Sequence, residues 1–193
     1  MKILFFVVAL CFVVVYSQEK TQEKCPDVET VDLDLQKYSG AWYEVAVSPF
    51  AKYVLQPGCY CTGANYTKNN EPNMLNSISR CNLLSKNGLA VKFTGTLLQP
   101  FSGHKGRLLM SIFPGIYANY WVLDTDYNTY AVVWSCFPFG MSNRKEVWIL
   151  SRSSTMDNET YDKIIAKNKD KLEKAGFDVK TLLKEDNEGC KYK

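Results

Sequence analysis

Eight short apolar or aromatic runs follow one another through the chain: Trp42–Val47, Cys59–Thr67, Met74–Arg80, Leu89–Leu98, Arg107–Phe113, Tyr117–Leu123, Thr129–Cys136 and Glu146–Ser151. Turn-forming residues separate them, among them Ser48-Pro49, Asn69-Asn70-Glu71-Pro72, Asn87-Gly88, Ser102-Gly103, Pro114-Gly115, Asp126-Tyr127-Asn128 and Pro138-Phe139-Gly140. Short strands punctuated in this way predict an antiparallel sandwich or barrel. One stretch departs from the pattern. Between Met156 and Ala175 the residues Tyr161, Ile164, Ile165, Leu172 and Ala175 recur on a 3.6-residue period, with Ser154 or Thr155 placed to cap the start and Gly176 to close the end. A one-sided apolar stripe belongs against a sheet. Eight is also the strand number at which an up-and-down barrel closes around one small ligand. An immunoglobulin-type sandwich would more often have seven or nine strands and a Trp set between facing cysteines. The expected fold is therefore all-β with one helix: an eight-stranded antiparallel up-and-down barrel carrying a C-terminal amphipathic helix on its outside.

Lys2, thirteen apolar residues from Ile3 to Val15, and Tyr16-Ser17 ahead of polar Gln18-Glu19-Lys20 read as a secretory signal peptide. The apolar stretch is shorter than the roughly 20 residues a spanning helix needs. Cleavage after Ser17 would leave residues 18–193 as one domain with a net charge of +2, against +3 for the whole chain. So small a balance argues against nucleic acid or an anionic membrane surface as the main partner. The helix could in principle lie on a membrane, but its apolar face lacks Trp and Phe and its polar face mixes signs. With 46% hydrophobic residues, 12 Tyr, 10 Phe and 4 Trp, the chain is not a disordered one.

Cys11 leaves with the signal, and Cys25, Cys59, Cys61, Cys81, Cys136 and Cys190 remain. An even number in an oxidising compartment implies up to three disulfides, with fifteen connectivities open. Zinc fits poorly: Cys59-x-Cys61 lacks the usual spacing, no second cysteine pair exists, and His104 is the sole histidine. His104 lies in a Gly-flanked turn, where neither a Ser-His-Asp triad nor a haem ligand is well placed. Asn65-Tyr66-Thr67 and Asn158-Glu159-Thr160 are glycosylation acceptors.

Three local motifs agree with the strand count. Tyr38-Ser39-Gly40-Ala41-Trp42-Tyr43-Glu44-Val45, Val122-Leu123-Asp124-Thr125-Asp126-Tyr127 and Val147-Trp148-Ile149-Leu150-Ser151-Arg152 stand in order along the chain. Together they resemble the three signature regions of the lipocalins, carried here by Gly40, Trp42, Thr125, Asp126, Tyr127 and Arg152. Cys61-Thr62-Gly63-Ala64-Asn65-Tyr66, Asn119-Tyr120-Trp121-Val122-Leu123 and Tyr130-Ala131-Val132-Val133-Trp134-Ser135-Cys136 resemble the branch that holds apolipoprotein D and the insect bilin-binding lipocalins.

The resemblance implies a barrel that binds and carries a small hydrophobic molecule, with Trp42 packed on Arg152 at a closed base. It also implies the disulfides Cys25–Cys136 and Cys61–Cys190. That leaves Cys59 and Cys81, a departure from the family's usual two bridges, to pair with each other. Positions resembling the apolipoprotein D pocket are Tyr66, Asn76, Met110, Tyr120 and Trp148. Strand parity with Tyr66 inward turns Cys59 and Cys61 outward together, and leaves Asn65, Asn119 and Trp121 outside. A prostaglandin-isomerising lipocalin would need a free cysteine in the barrel; here six cysteines are expected to pair, so no enzyme is expected. The leading ligand is a bilin such as biliverdin, whose propionates would meet Lys52, Lys105 or Arg107 near the open mouth. A fatty acid, sterol or other lipid is the runner-up. A secreted interaction protein, acting through its open-end loops on a receptor or on host molecules, is the alternative of a different class; a receptor or a homo-oligomer is the protein partner this reading allows.

Overall fold

The computed structural model describes residues 25–100, 103–113, 115–139 and 142–192, so the segment read as a signal peptide lies outside the described residues. A four-residue helix α1 (Leu35–Tyr38) leads into eight strands: β1 (Gly40–Val47), β2 (Cys59–Lys68), β3 (Met74–Leu83), β4 (Ala90–Leu98), β5 (Arg107–Phe113), β6 (Ile116–Thr125), β7 (Tyr130–Phe139) and β8 (Ser142–Ser151). Helix α2 (Asn158–Lys174) and a two-residue β9 (Leu183–Lys184) follow. Each strand pairs antiparallel with the next, and β1 pairs with both β8 and β2, which closes the ring. In this meander the connections after β1, β3, β5 and β7 gather at one end, and those after β2, β4 and β6 at the other.

Alternation of side chains divides the apolar residues into two cores. Inside the barrel, Trp42, Tyr66, Leu75, Leu97, Leu108, Tyr120, Val122 and Val133 pack on Leu33, Leu35 and Tyr38 from the N-terminal arm. Outside it, Val132, Trp134, Ile149 and Leu123 pack under Tyr161, Ile164 and Leu172 of α2. The helix begins two residues later than the sequence suggested. Asp157, rather than Ser154 or Thr155, caps it by accepting from the Thr160 N–H at 2.8 Å. A carboxylate also suits the positive end of the helix. Its other end closes as expected: Gly176, at φ +78°, lets the Phe177 N–H reach Leu172 O at 3.0 Å and its own N–H reach Glu173 O.

All six described cysteines are bonded, as Cys25–Cys136, Cys59–Cys81 and Cys61–Cys190. The expectation that Cys59 and Cys61 share an outer face is corrected. A bulge at Cys61, which sits at φ +53°, shifts the β2–β3 register between Tyr60 and Gly63. Cys59 thereby stands opposite Leu83, on the same face of the sheet as Cys81, Ser79, Ser77 and Tyr66. Cys61 turns outward to Cys190. The bulge keeps the two bridges apart although their cysteines are two residues apart in sequence.

Closure has a second peculiarity. Only Gly40–Tyr43 of β1 pair with β2, through Tyr66–Gly63; farther along, Ala46 and Val47 pair instead with β9. The C-terminal segment thus fills the seam where β1 and β2 diverge. It is fastened by the Glu185 N–H to Val45 O, by the Asn187 amide to Glu44 O at 2.6 Å, and by the part-buried ion pair Lys52–Glu185 at 2.6 Å.

A polar cluster at the edge of the outer core fixes α2 to the barrel. Asp124 accepts from Tyr130 Oη at 2.6 Å, Asn168 Nδ2 at 2.9 Å and Lys167 Nζ at 2.8 Å. Burial alone would raise this carboxyl, but hydrogen bonds from Lys167, Tyr130 and Asn168 outweigh it and hold the pKa below its ordinary value. A depressed carboxyl contributes stability that is present above its unfolded pKa and lost as pH falls through the folded one. Asp124→Asn should therefore lower stability by about 1–2 kcal/mol at neutral pH. It should also flatten part of the loss that the parent shows on acidification, measured by denaturant unfolding at a series of pH values.

Candidate functional site

The base of the barrel is built first, because it decides which side chains are floor and which are wall. Trp42 is fully buried, and the Arg152 guanidinium lies 3.7 Å above its ring centroid. Arg152 donates to Tyr127 O, Ala41 O and Lys37 O at 2.8, 2.8 and 2.9 Å, so one cation gathers three backbone carbonyls. Gly40 is required here. It adopts φ +99°, and a Cβ would stand 3.1 Å from Arg152 Nη1. The Thr125-Asp126-Tyr127 turn completes the seal. Thr125 Oγ1 donates to Tyr130 O, Asp126 Oδ1 accepts from the N–H groups of Asn128, Thr129 and Tyr130, and Tyr127 Oη accepts from the Asp34 N–H.

Above this plug sits a triad of tyrosines. Tyr120 Oη is 2.8 Å from Tyr38 Oη and 3.0 Å from Tyr66 Oη, and the Tyr38 and Tyr66 rings stack at 5.7 Å. Burial pushes the Tyr66 phenol up to about 12 and those of Tyr38 and Tyr120 well above their ordinary value. All three are neutral, and Tyr120 is hydrogen-bonded to each of the other two, so they form a polar floor without a base or a nucleophile. Tyr38 belongs to this floor although the sequence reading passed over it; it comes from α1 rather than from a strand.

Higher up, Met110 stands opposite Leu97 and Ala118, and Trp148 opposite Val47 and Val133. Both are half-buried and lie on the inner face. Phe93 joins them. It stands opposite Ser79, on the face of Ser77 and Tyr66, yet is 46% exposed, as an aromatic ring open to a lumen should be. Its alternation with Leu97 was a legible signal that went unused. Asn76 does not join them, which corrects the pocket set. Neighbouring Leu75 and Ser77 face inward, so Asn76 points outward; it is exposed, accepts from Asn69 at 2.6 Å and donates to Lys68 O at 3.1 Å. One position of parity separates the two faces.

Two carboxyls mark the inner face of the upper barrel. Glu146 accepts from Ser48 Oγ and from the Ala51 N–H at 3.2 Å, and burial raises its pKa. Glu44 stands opposite inward Leu150, is 2% exposed, and accepts from Gln56 Nε2 at 3.0 Å while its other oxygen has no partner. Burial, reinforced by Glu185, pushes it up to about 8 against the opposing effects of Gln56 and Lys52. It is neutral at pH 7. A lone Glu in the apolar run Trp42–Val47 was the sequence signal for it. Two of the three cations expected at the mouth, Lys105 and Arg107, are elsewhere, because the β4–β5 connection lies at the closed end. There Lys105 pairs with Asp32 at 3.0 Å, while Arg107 bonds Asp27 and lies 4.4 Å over outward Trp121. They border an external groove of about 630 Å³ whose cations are thus taken up by its own carboxylates. Lys52 is at the mouth, bonded to Glu185. His104 is an exposed residue of the same closed-end connection, and no cluster of metal-ligating side chains occurs among the described residues.

The family model of the lipocalin-like domain matches residues 33–187, nearly the whole of this architecture. The chain is a lipocalin. It is 32% identical to mouse apolipoprotein D over 172 residues, 86% of this chain and 84% of that one. It is 30% identical to insecticyanin-A of Manduca sexta over 145 residues, covering 70% and 72%. The solved structure of insecticyanin from the tobacco hornworm superposes with a TM-score of 0.69 at 27% identity, covering 89% of this lipocalin and 91% of that chain. Lipocalins bind small hydrophobic ligands, and in general carry rather than convert them.

Two measurements test the site's framework. Trp42→Ala should cost about 3–5 kcal/mol, as for other large buried aromatics, in denaturant unfolding of the ligand-free protein. Glu44 should make stability fall as pH rises. A carboxyl that binds its proton more tightly when folded contributes stability present below its unfolded pKa and lost as pH climbs through about 8. The slope between about pH 5 and pH 8 should approach roughly 1 kcal/mol per pH unit. Glu44→Gln should flatten it.

Proposed function

We propose that this lipocalin is a secreted carrier that holds a small, mostly apolar molecule in the upper barrel, and that a bilin such as biliverdin is that molecule. The observation that carries the reading is the contrast between floor and wall. The tyrosine floor is buried and satisfied by its own hydrogen bonds, whereas Trp148, Met110 and Phe93 keep part of their apolar surface uncovered on the inner face. An apolar wall with a few polar groups suits a ligand fixed by one or two hydrogen bonds. The bilin itself rests on the sequence resemblance to the insect bilin-binding lipocalins. Glu44 and Glu146 supply inner-face oxygens of the kind a pyrrole N–H can donate to, and Lys52, bonded to Glu185 at the mouth, is the cation that a propionate would meet there.

Secretion follows from the signal-like residues 1–17, cleaved after Ser17, and is supported by three disulfides and by exposed acceptors Asn65 and Asn158. Each of the six described cysteines is held in a disulfide, so none of them offers the thiolate that an isomerising lipocalin would use.

Protein purified from its source should absorb in the red. A colourless protein that releases lipid on extraction would replace the bilin by a fatty acid or sterol and leave the carrier intact. Titration with biliverdin should quench Trp148, and Trp148→Ala should weaken binding by about 1–3 kcal/mol while barely moving the Tm of the ligand-free protein. A large loss of stability with unchanged affinity would make Trp148 a packing residue and overturn the assignment.

A further inference from the structure

Among the described residues, seven buried side-chain polar atoms have no hydrogen-bond partner, and four of them gather at one place. Glu44 and Thr62 stand one step beyond Tyr43–Gly63, the last pair of the β1–β2 ladder, where the two strands diverge. Glu44 Oε1 and Thr62 Oγ1 are unpartnered there, as is Oε1 of Gln56, whose amide nitrogen donates to the other Glu44 oxygen. Tyr192 Oη is the fourth; its ring packs on Tyr43 and its phenol lies within electrostatic reach of Glu44 and Glu185. Buried polar atoms are nearly always paired, so several orphans at one spot point to a partner that they share. The amide oxygen of Gln56 can only accept, and so can the Glu44 carboxylate, so what both lack is a donor.

Charge points the same way. Two carboxyls, Glu44 and Glu185, face one cation, Lys52, whose Nζ bonds Glu185 at 2.6 Å and Cys59 O at 2.9 Å. Leu150, opposite Glu44 on β8, is apolar, and Asn187 is neutral and bonds only the Glu44 backbone carbonyl. Arg80 stands on the outer face, 4.6 Å over the Tyr192 ring. This seam is therefore one positive charge short once both carboxyls ionise. Glu44 is 2% exposed and lies on the inner face beside Trp148, the next inward residue of β8 after Leu150. An inorganic ion would have to shed its water to enter so apolar an interior, whereas a charge carried on an apolar body brings its own compensation.

We infer that this seam holds a protonated nitrogen of the carried ligand, with Glu44 and Gln56 accepting its N–H groups and Trp148 covering its apolar body. The ligand class is an apolar or aromatic nitrogen base; a bilin meets the requirement through its imine nitrogen. The inference rests on the carrier reading and narrows it. Burial raises Glu44 to about 8, so in the ligand-free protein at neutral pH the carboxyl holds its proton. A ligand cation must displace that proton to solvent, leaving an ion pair in the seam. A ligand with a neutral or anionic head has no such exchange to make, and an anionic one meets two carboxyls.

The mature, ligand-free protein is to be titrated with octylamine, 1-octanol and octanoate, which share one tail, by calorimetry in two buffers of different ionisation enthalpy. At pH 7 the amine should bind about tenfold tighter than the alcohol, with octanoate the weakest. Only the amine should release close to one proton, roughly the share of Glu44 that is protonated at that pH. Octylamine stays charged throughout, so its affinity should rise about tenfold from pH 6 to pH 7 and level off above about pH 8, because only ionised Glu44 takes the cation. Glu44→Gln should remove both the proton release and the preference for the amine. The proton count and the pH profile are read on the parent, so they decide the matter even if the variant fails to fold. Binding of the alcohol or octanoate without preference for the amine, binding of the amine without proton release, or a preference that survives in Glu44→Gln overturns the inference and leaves the carrier intact; water then satisfies these oxygens. If none of the three binds, the carrier reading falls with it.

Discussion

A single cation-aromatic stack organises the lower half of this lipocalin. The Arg152 guanidinium covers Trp42 and at the same time satisfies carbonyls from α1, β1 and the β6–β7 turn. Desolvating an arginine is costly unless its donors are used. Here three of them go to backbone carbonyls, so cation and carbonyls satisfy each other. The consequence is a bottom that cannot open without uncovering both a charge and a large ring. Every higher layer inherits its geometry from that plug: Tyr38 leans on Trp42, Tyr66 stacks on Tyr38, and Tyr120 bonds to both.

The two cores divide the labour. The outer one, between α2 and strands β6 to β8 and β1, is closed over by the helix and tightened by the Asp124 cluster. The inner one is dense at the base and loosens upward, ending in rings that keep exposed surface. Stability can therefore come from the outside of the barrel and from its floor, while the upper interior is left underfilled for a ligand. Buried carboxyls such as Glu44 reduce stability where they sit, which is tolerable only because the rest of the molecule compensates.

Much of this was legible in the sequence. The eight strands, the helix and its Gly176 stop follow from periodicity and turn chemistry, and the three signature motifs located the base. What escaped has a common cause: parity and direction are counted from local irregularities that composition does not display. The bulge at Cys61 reversed the face of Cys59, and one position of alternation moved Asn76 outside. Lys105 and Arg107 were placed at the wrong end although counting the up-and-down connections would have put them at the base. Phe93 could have been found by extending the alternation from Leu97. Tyr38 and the two-residue β9 could not, because each owes its place to tertiary contacts rather than to a pattern of its own.

That last strand alters how the molecule must be made. A ring of eight consecutive hairpin-linked strands would be complete once β8 left the ribosome. Here part of β1 finds its neighbour in residues 183–184, and the segment beyond is anchored by Glu185, Asn187 and Cys190. Residues that follow the eighth strand by some thirty positions are thus structural members of the wall, touching one of the earliest strands. The wall between β1 and β2 can be finished only after they too have left the ribosome. Until then the seam is an exposed strand edge leading into an apolar interior, with Cys61 still unpaired.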